Sequence, residues 1–241
     1  MDQDGIAPPQ AVELRTGFHE ELGRVEAHVQ SMGAAAGDLF AKSMRCIRET
    51  APALADRVIL GDDVIDEYYL RTEKRILRLF ALQTPVASDL RLLTVLLHIT
   101  FHLERVGDMA VNLAKISKLA ADLPKSETVI SHLEEMGSIA LKMIGAAMDA
   151  FDRRDVALAR TLPAMDEPID RLNRGMLEEV LKIADDKRML EWGIRMHVVS
   201  RQIERIGDHA VDIAEQVVFL ETGKFVEFGD ASHPEREIVT E

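Results

Sequence analysis

The 241-residue sequence predicts an all-α fold, built as two pseudo-symmetric three-helix bundles that arose by internal duplication. Three observations predict it. Apolar residues recur mainly at spacings of three, four and seven, and no convincing run of period-two alternation appears. Internal prolines (Pro52, Pro85, Pro124, Pro163, Pro168) divide the chain into long helical stretches. Finally, HLERVGDMAVNLA at 102–114 returns as QIERIGDHAVDIA at 202–214, with seven of eleven positions identical from Glu104 and Glu204 onward.

Residues 1–9 are expected to be a flexible N-terminus, and MDQDGIAPPQ lacks the basic start and apolar stretch of a signal peptide. The first bundle is placed at 10–121. Its opening helix carries Phe18, Leu22, Val25, Val29, Met32, Leu39 and Ile47 on one face. From Pro85 to about Ala121, apolar residues (Leu90, Leu93, Leu96, Leu97, Leu103, Val106, Val111, Leu113) occupy more than one face, which predicts a helix enclosed by neighbours on several sides. A linker at 122–127 follows, with Ser126 as an expected helix N-cap.

The second bundle is placed at 128–223. There Met136-Gly137 matches Met32-Gly33, Ala157-Leu158-Ala159 matches Ala53-Leu54-Ala55, and Leu162 matches Val58, all at an offset of 104. Because the later motif is offset by 100, the second half has lost four residues between 170 and 204. The polar tail at 224–241 lacks periodicity and is expected to be flexible.

The formal net charge of −13 repels phosphate backbones and anionic membranes, so nucleic acid is not an expected partner. Cys46, the one cysteine, excludes an intrachain disulfide framework and any Cys-rich zinc site; it reads as a small buried hydrophobe in a reducing cytoplasm. The most apolar segment, LLTVLLHITF, is well short of the roughly 18 apolar residues a membrane span needs, so no direct membrane insertion is expected.

Chemistry is suggested by acidic pairs. Glu104 and Asp108 are four residues apart, one turn apart on one helix face; Glu204 and Asp208 repeat this, and Asn112 and Asp212 extend each stripe. The 104-residue offset relates two further pairs, Asp62 with Asp66 and Asp166 with Asp170. The first-half pairs are centred symmetrically about the Thr84-Pro85 break, and the second-half pairs about the polar stretch Asp185-Asp186-Lys187. Antiparallel helices turning at those points bring the pairs to one height in each half.

Four carboxylates crowded between packed helices need positive charge. A divalent metal or metal cluster fits, since carboxylate oxygens suit hard or borderline cations such as Mg, Mn and iron. Gly107 and Gly207 each cost a helix about 1 kcal/mol relative to Ala, and beside the pairs they permit close approach of a neighbouring helix or bound group. Three alternatives stand beside this reading. The pairs can be solvated helix faces; Arg105, Arg205, Arg171 or Arg201 can neutralise them in a metal-free scaffold; and Asp166 can be an N-cap, because Pro168 suits a helix's first turn. His98 and His102 read as partly buried core residues rather than ligands, and His197, on nearly the face of Glu204, as a better outer ligand. No Glu has a His three residues later, and no phosphate loop or nucleophile–base arrangement is recognisable, so a carboxylate-bridged metalloenzyme is the weaker alternative.

The segment LALQTPVASDLRLLTVLLHITFHLERVGDMAVNLAKIS, its echo RQIERIGDHAVDIAEQVVFLETG and the upstream Asp-x-x-x-Asp pairs closely resemble the PhoU family, phosphate-specific transport accessory proteins of bacteria. The resemblance spans about residues 10–223. It implies two three-helix bundles, with multinuclear iron or zinc clusters bound on the acidic motifs in some members. Carried over by position, Asp62, Asp66, Glu104 and Asp108 serve one bundle, and Asp166, Asp170, Glu204 and Asp208 the other, with Asn112 and Asp212 adjoining. It further implies a non-enzymatic negative regulator of the phosphate regulon that links the ATPase subunit of a phosphate ABC transporter to a phosphate-sensing histidine kinase. A homodimer is the expected assembly. Pro168 and the missing counterpart of TPVASDLR set the second half apart, so its site is expected to bind metal differently or less tightly.

Overall fold

A computed structural model describes residues 9–82, 85, 87–229 and 236–238. The expected flexible N-terminus lies, apart from Pro9, outside them. Six long helices and one single turn make up the body: α1 (Pro9–Glu49), α2 (Pro52–Leu82), α3 (Ala87–Leu119), α4 (Glu127–Arg153), α5 (Val156–Ala159), α6 (Leu162–Leu181) and α7 (Lys187–Thr222). In the first half α1, α2 and α3 pack mutually, as do α4, α6 and α7 in the second; the halves join through α1 against α4 and α3 against α7.

The helix breaks fall where the sequence puts them. α2 ends at Leu82 and α3 begins at Ala87, on either side of Pro85; α6 ends at Leu181 and α7 begins at Lys187. The Asp186 carboxylate caps α7, accepting the backbone N–H groups of Arg188 and Met189 at 2.8 Å. Ser126 caps α4 through Val129 N–H. α3 is enclosed by α1, α2 and α7, burying Leu93, Leu96, Leu103, Val106 and Leu113, whereas Leu90 is exposed near its start. Cys46 is a free thiol in the core.

The duplication extends to backbone detail. Thr50 (φ 50°) and Arg154 (φ 55°), 104 residues apart, both end their helices in the left-handed region. The two halves also interlock reciprocally, Met148 filling the space above Gly33 and Met44 that above Gly137. Both members of this exchange obey the 104-residue offset, so a pseudo-dyad runs between α1 and α4.

Three expectations need correction. The second bundle contains an extra one-turn helix, α5, because Pro163 lacks an N–H and cannot continue a helix through 160–161; it starts α6 instead. Asp166 is therefore no N-cap: it lies inside α6, as does Pro168. Within the stretch expected to be a flexible tail, the described residues include two short strands the sequence did not reveal: β1 (Phe225–Glu227) pairs antiparallel with β2 (Arg236–Ile238). Gly223 ends α7 at φ 72°, and the chain then returns against that helix, with Val226 buried and Phe225 stacked on Phe219 at 4.0 Å. Three-residue strands are too short to give a period-two signal. No helix among the described residues is long and apolar enough to cross a membrane.

Candidate metal centres

Each bundle contributes one acidic cluster, across α2 and α3 in the first half and across α6 and α7 in the second. In the first, glycine at 107 is what admits the neighbouring helix: a Cβ there would lie 2.9 Å from Ile65 and 3.2 Å from Asp62 Oδ1. Burial first, then the charges of Asp66 and Asp108, push the Asp62 carboxyl up to about 6; burial and then Asp108 raise Glu104. Glu104 Oε2 is buried without a hydrogen bond. Arg105 Nε is within 3.0 Å of it, an ion-pair distance, but its N–H is not aimed at that oxygen, and the same guanidinium donates to Asp108 Oδ2 at 3.0 Å.

The second cluster repeats this arrangement with greater burial. Asp166 Oδ1 lies against Gly207, beside Ile169, just as Asp62 and Ile65 lie against Gly107, and it has no hydrogen-bond partner. Burial, followed by Asp208, Asp170 and Glu204, pushes Asp166 up to about 7. Asp208 rises to about 6 through packing around its carboxyl and then Glu204 and Asp170, although much of its side chain faces water. Burial also raises Glu204, whose Oε1 accepts Arg201 at 2.8 Å while Oε2 stays buried and unbonded.

This second cluster opens into a cleft of about 810 Å³ between α6, α7 and the C-terminal hairpin, with Asp166, Asp170, Asp208 and Asp212 facing Phe225 and Phe228. Glu215 also lines it. Burial pushes Glu215 up to about 7, partly offset by the Phe228 N–H it accepts at 2.6 Å. The sequence reading missed Glu215, although Asp208, Asp212 and Glu215 follow helical spacing of four and three. Its first-half counterpart at the 100-residue offset is Lys115, whose positive charge acts on Asp62.

The structure thus brings together Asp62, Asp66, Glu104 and Asp108, and separately Asp166, Asp170, Glu204 and Asp208. Asn112 is exposed on α3. Asp212 lies beside the second cluster but also approaches His102 and His209, its Oδ2 being 3.4 Å from each Nδ1. His102 is therefore more than a core residue, and His209 was overlooked. His197 is half-buried, with Nδ1 lacking a hydrogen bond.

The arginine alternative is partly realised. Arg105 and Arg201 pair with the clusters, yet their side chains are 42% and 54% exposed, and Arg174 meets Asp170 at 3.5 Å from a similarly open position. Exposed cations weakly compensate buried carboxylates. Glu104 Oε2, Asp166 Oδ1 and Glu204 Oε2 keep unused acceptor capacity, so the all-oxygen donor set fits a hard or borderline cation.

Comparison with known proteins adds an independent finding. The model of the PhoU domain matches twice, at residues 29–117 and 133–217. A Caulobacter vibrioides protein named phosphate-specific transport system accessory protein PhoU homolog is 31% identical over 208 residues, covering 86% of this chain and 90% of its own. The crystal structure of PhoU from Pseudomonas aeruginosa matches with a TM-score of 0.81 at 30% identity, covering 86% of this chain and 99% of that one. That of the phosphate transport system regulatory protein PhoU from Streptococcus pneumoniae gives 0.79 at 26%, covering 88% and 100%.

Proposed function

The chain belongs to the PhoU family, and from that premise we propose that it is a metal-binding accessory protein of a phosphate transport system, restraining phosphate-starvation signalling rather than catalysing a reaction. The observation that carries the metal-binding part is the pair of pseudo-equivalent acidic clusters, each with a buried carboxylate oxygen that no protein donor satisfies. Asp62, Asp66, Glu104 and Asp108 hold cations in the first bundle, and Asp166, Asp170, Glu204 and Asp208 in the second, with Asp212 and Glu215 adding charge to the latter. Bound cations supply the positive charge that lets these acids stay ionised between packed helices. Iron, zinc, manganese and magnesium all suit oxygen donors to different degrees.

The regulatory part rests on the family and on linkage. Cations that neutralise the acidic stripes change the potential of the surface offered to a transporter ATPase subunit or a phosphate-sensing histidine kinase, so cation and partner binding are coupled. Alanines at Asp62, Asp66, Glu104 and Asp108 should deplete metal from the first bundle, weaken binding to the purified partner domains and derepress phosphate-starvation genes in high phosphate. Circular dichroism should show unchanged helicity. Unchanged affinity and repression after loss of metal would make the clusters structural or storage sites, unchanged metal content would remove these four acids from the ligand list, and absence of metal from the parent protein would favour the arginine-neutralised scaffold.

A further inference from the structure

Outside the four-acid clusters, the seam between the bundles gathers another set of ligand atoms. His102 comes from α3 and His209 from α7, and their Nδ1 atoms are 3.0 Å apart. Asp212, one turn after His209, places Oδ2 3.4 Å from each. These are one ligand atom from each of three side chains, converging on one point from both halves of the molecule. The histidines are largely buried, at 14% and 15% exposure, while Asp212, at 41%, leaves an approach from solvent.

The triangle has the dimensions of a coordination face. Atoms separated by 3.0, 3.4 and 3.4 Å share a centre about 1.9 Å from each, so an ion displaced slightly from their plane meets all three at about 2.0–2.1 Å. Without an ion, only one proton can lie between the two Nδ1 atoms. A bound cation instead uses both nitrogen lone pairs and the carboxylate, with each ring carrying its proton on Nε2. The geometry points to a second class of metal site in this protein: a His102–His209–Asp212 centre for one borderline first-row divalent ion, zinc-like in preference, clamping α3 to α7. Its two imidazoles distinguish it from the all-oxygen clusters.

Among the described residues the site occurs once, not twice. At the 100-residue offset the counterparts of His102 and His209 are Gln202 and Met109, neither suited to replace an imidazole. The duplicated seam is thus asymmetric at this point, and the double variant H102Q/H209M installs residues that the equivalent positions already carry.

The test is a zinc titration of the chelator-stripped full chain, followed by long-range proton–nitrogen NMR of the histidine rings. The Nδ1 signals of His102 and His209 should shift together and saturate at one equivalent, and should do so equally when Asp62, Asp66, Glu104 and Asp108 are alanine. H102Q/H209M should bind one equivalent fewer than the parent with unchanged helicity. Rings that ignore zinc would overturn the assignment even if that variant fails to fold, as would a folded variant with undiminished stoichiometry. Loss of zinc from the acidic clusters alone bears on the proposed function and leaves this site intact.

Discussion

The Asp166 carboxylate rests against the Cα of Gly207, in the space where any other residue would place its Cβ. Gly207→Ala should therefore expel that carboxylate from the second cluster. Alanine favours the helix by about 1 kcal/mol, whereas overpacking costs about 1–3 kcal/mol, so net stability should fall by no more than about 2 kcal/mol. Cation affinity should fall more clearly. At Gly107 the obstacles are the end of Ile65 at 2.9 Å and Asp62 Oδ1 at 3.2 Å, so Gly107→Ala should be milder. Thermal melts with and without cation, run on both variants, check the ranking; an equal or reversed order would show that glycine does not set the approach of the acids.

The raised carboxyls fix the sign of a pH effect. Asp62 and Asp208 at about 6, and Asp166 and Glu215 at about 7, hold protons more tightly folded than unfolded, where carboxyls titrate near 4. Their stabilising contribution is complete below about pH 4 and is lost as pH rises through about 6–7. His102, lowered to about 4 chiefly by burial, acts oppositely between about 4 and 6.5, and His28, also lowered chiefly by burial, acts in the same sense, but these two imidazoles are outnumbered by the four carboxyls and the likewise raised Glu104 and Glu204. The cation-free protein should melt lower at pH 8 than at pH 5, and added cation should recover most of the difference. A melting temperature that rises steadily with pH under chelation would contradict this.

The paired left-handed residues offer a prediction within one molecule. Thr50 is β-branched at φ 50°, a conformation that costs a non-glycine residue about 1–2 kcal/mol, so Thr50→Gly should stabilise by about 0.5–1 kcal/mol after glycine's greater unfolded-state freedom is deducted. Arg154 has the same backbone shape, but its guanidinium meets Glu26 at 2.6 Å, donates to Phe151 O at 2.7 Å and covers the Phe151 ring. Arg154→Gly should therefore destabilise by about 1 kcal/mol. Denaturant midpoints of the two variants should move in opposite directions.

Much of this was legible in the sequence because duplication makes one half a check on the other. The pairing of Asp62 with Gly107, and of Asp166 with Gly207, follows from acidic spacing and from glycines that a helix would otherwise avoid. The misses have physical reasons too. Pro168 suggested a helix start, but Pro163 already provides one five residues earlier, and helix α6 accommodates the second proline within its body. Glu215 continues the acidic stripe at helical spacing, but that spacing alone does not show the cleft it lines with Phe228, and His209 gains its significance only from His102 on α3, distant in sequence.

The same asymmetry predicts that the two clusters differ in affinity. Around the first, Lys115 opposes an incoming cation; at the pseudo-equivalent place in the second, Glu215 invites it, and Asp212 stands where the first half has the neutral Asn112. On these charges the second cluster should be the tighter one, whereas Pro168 and the missing counterpart of TPVASDLR pointed to different or weaker binding there. Lys115→Glu should strengthen the first cluster and Glu215→Lys weaken the second, each by about tenfold, the order expected for a reversal of two charge units near a partly exposed, well-screened site. Glu215→Gln separates charge from shape: it keeps an acceptor for Phe228 N–H and should lose about half as much binding free energy as the lysine, about threefold in affinity. Calorimetric cation titrations of the full chain, with the opposite cluster silenced by alanines, resolve the two. If Lys115→Glu and Glu215→Lys leave both affinities unchanged, the flanking charges are too well screened to matter, and affinity is set by the four acids of each cluster alone.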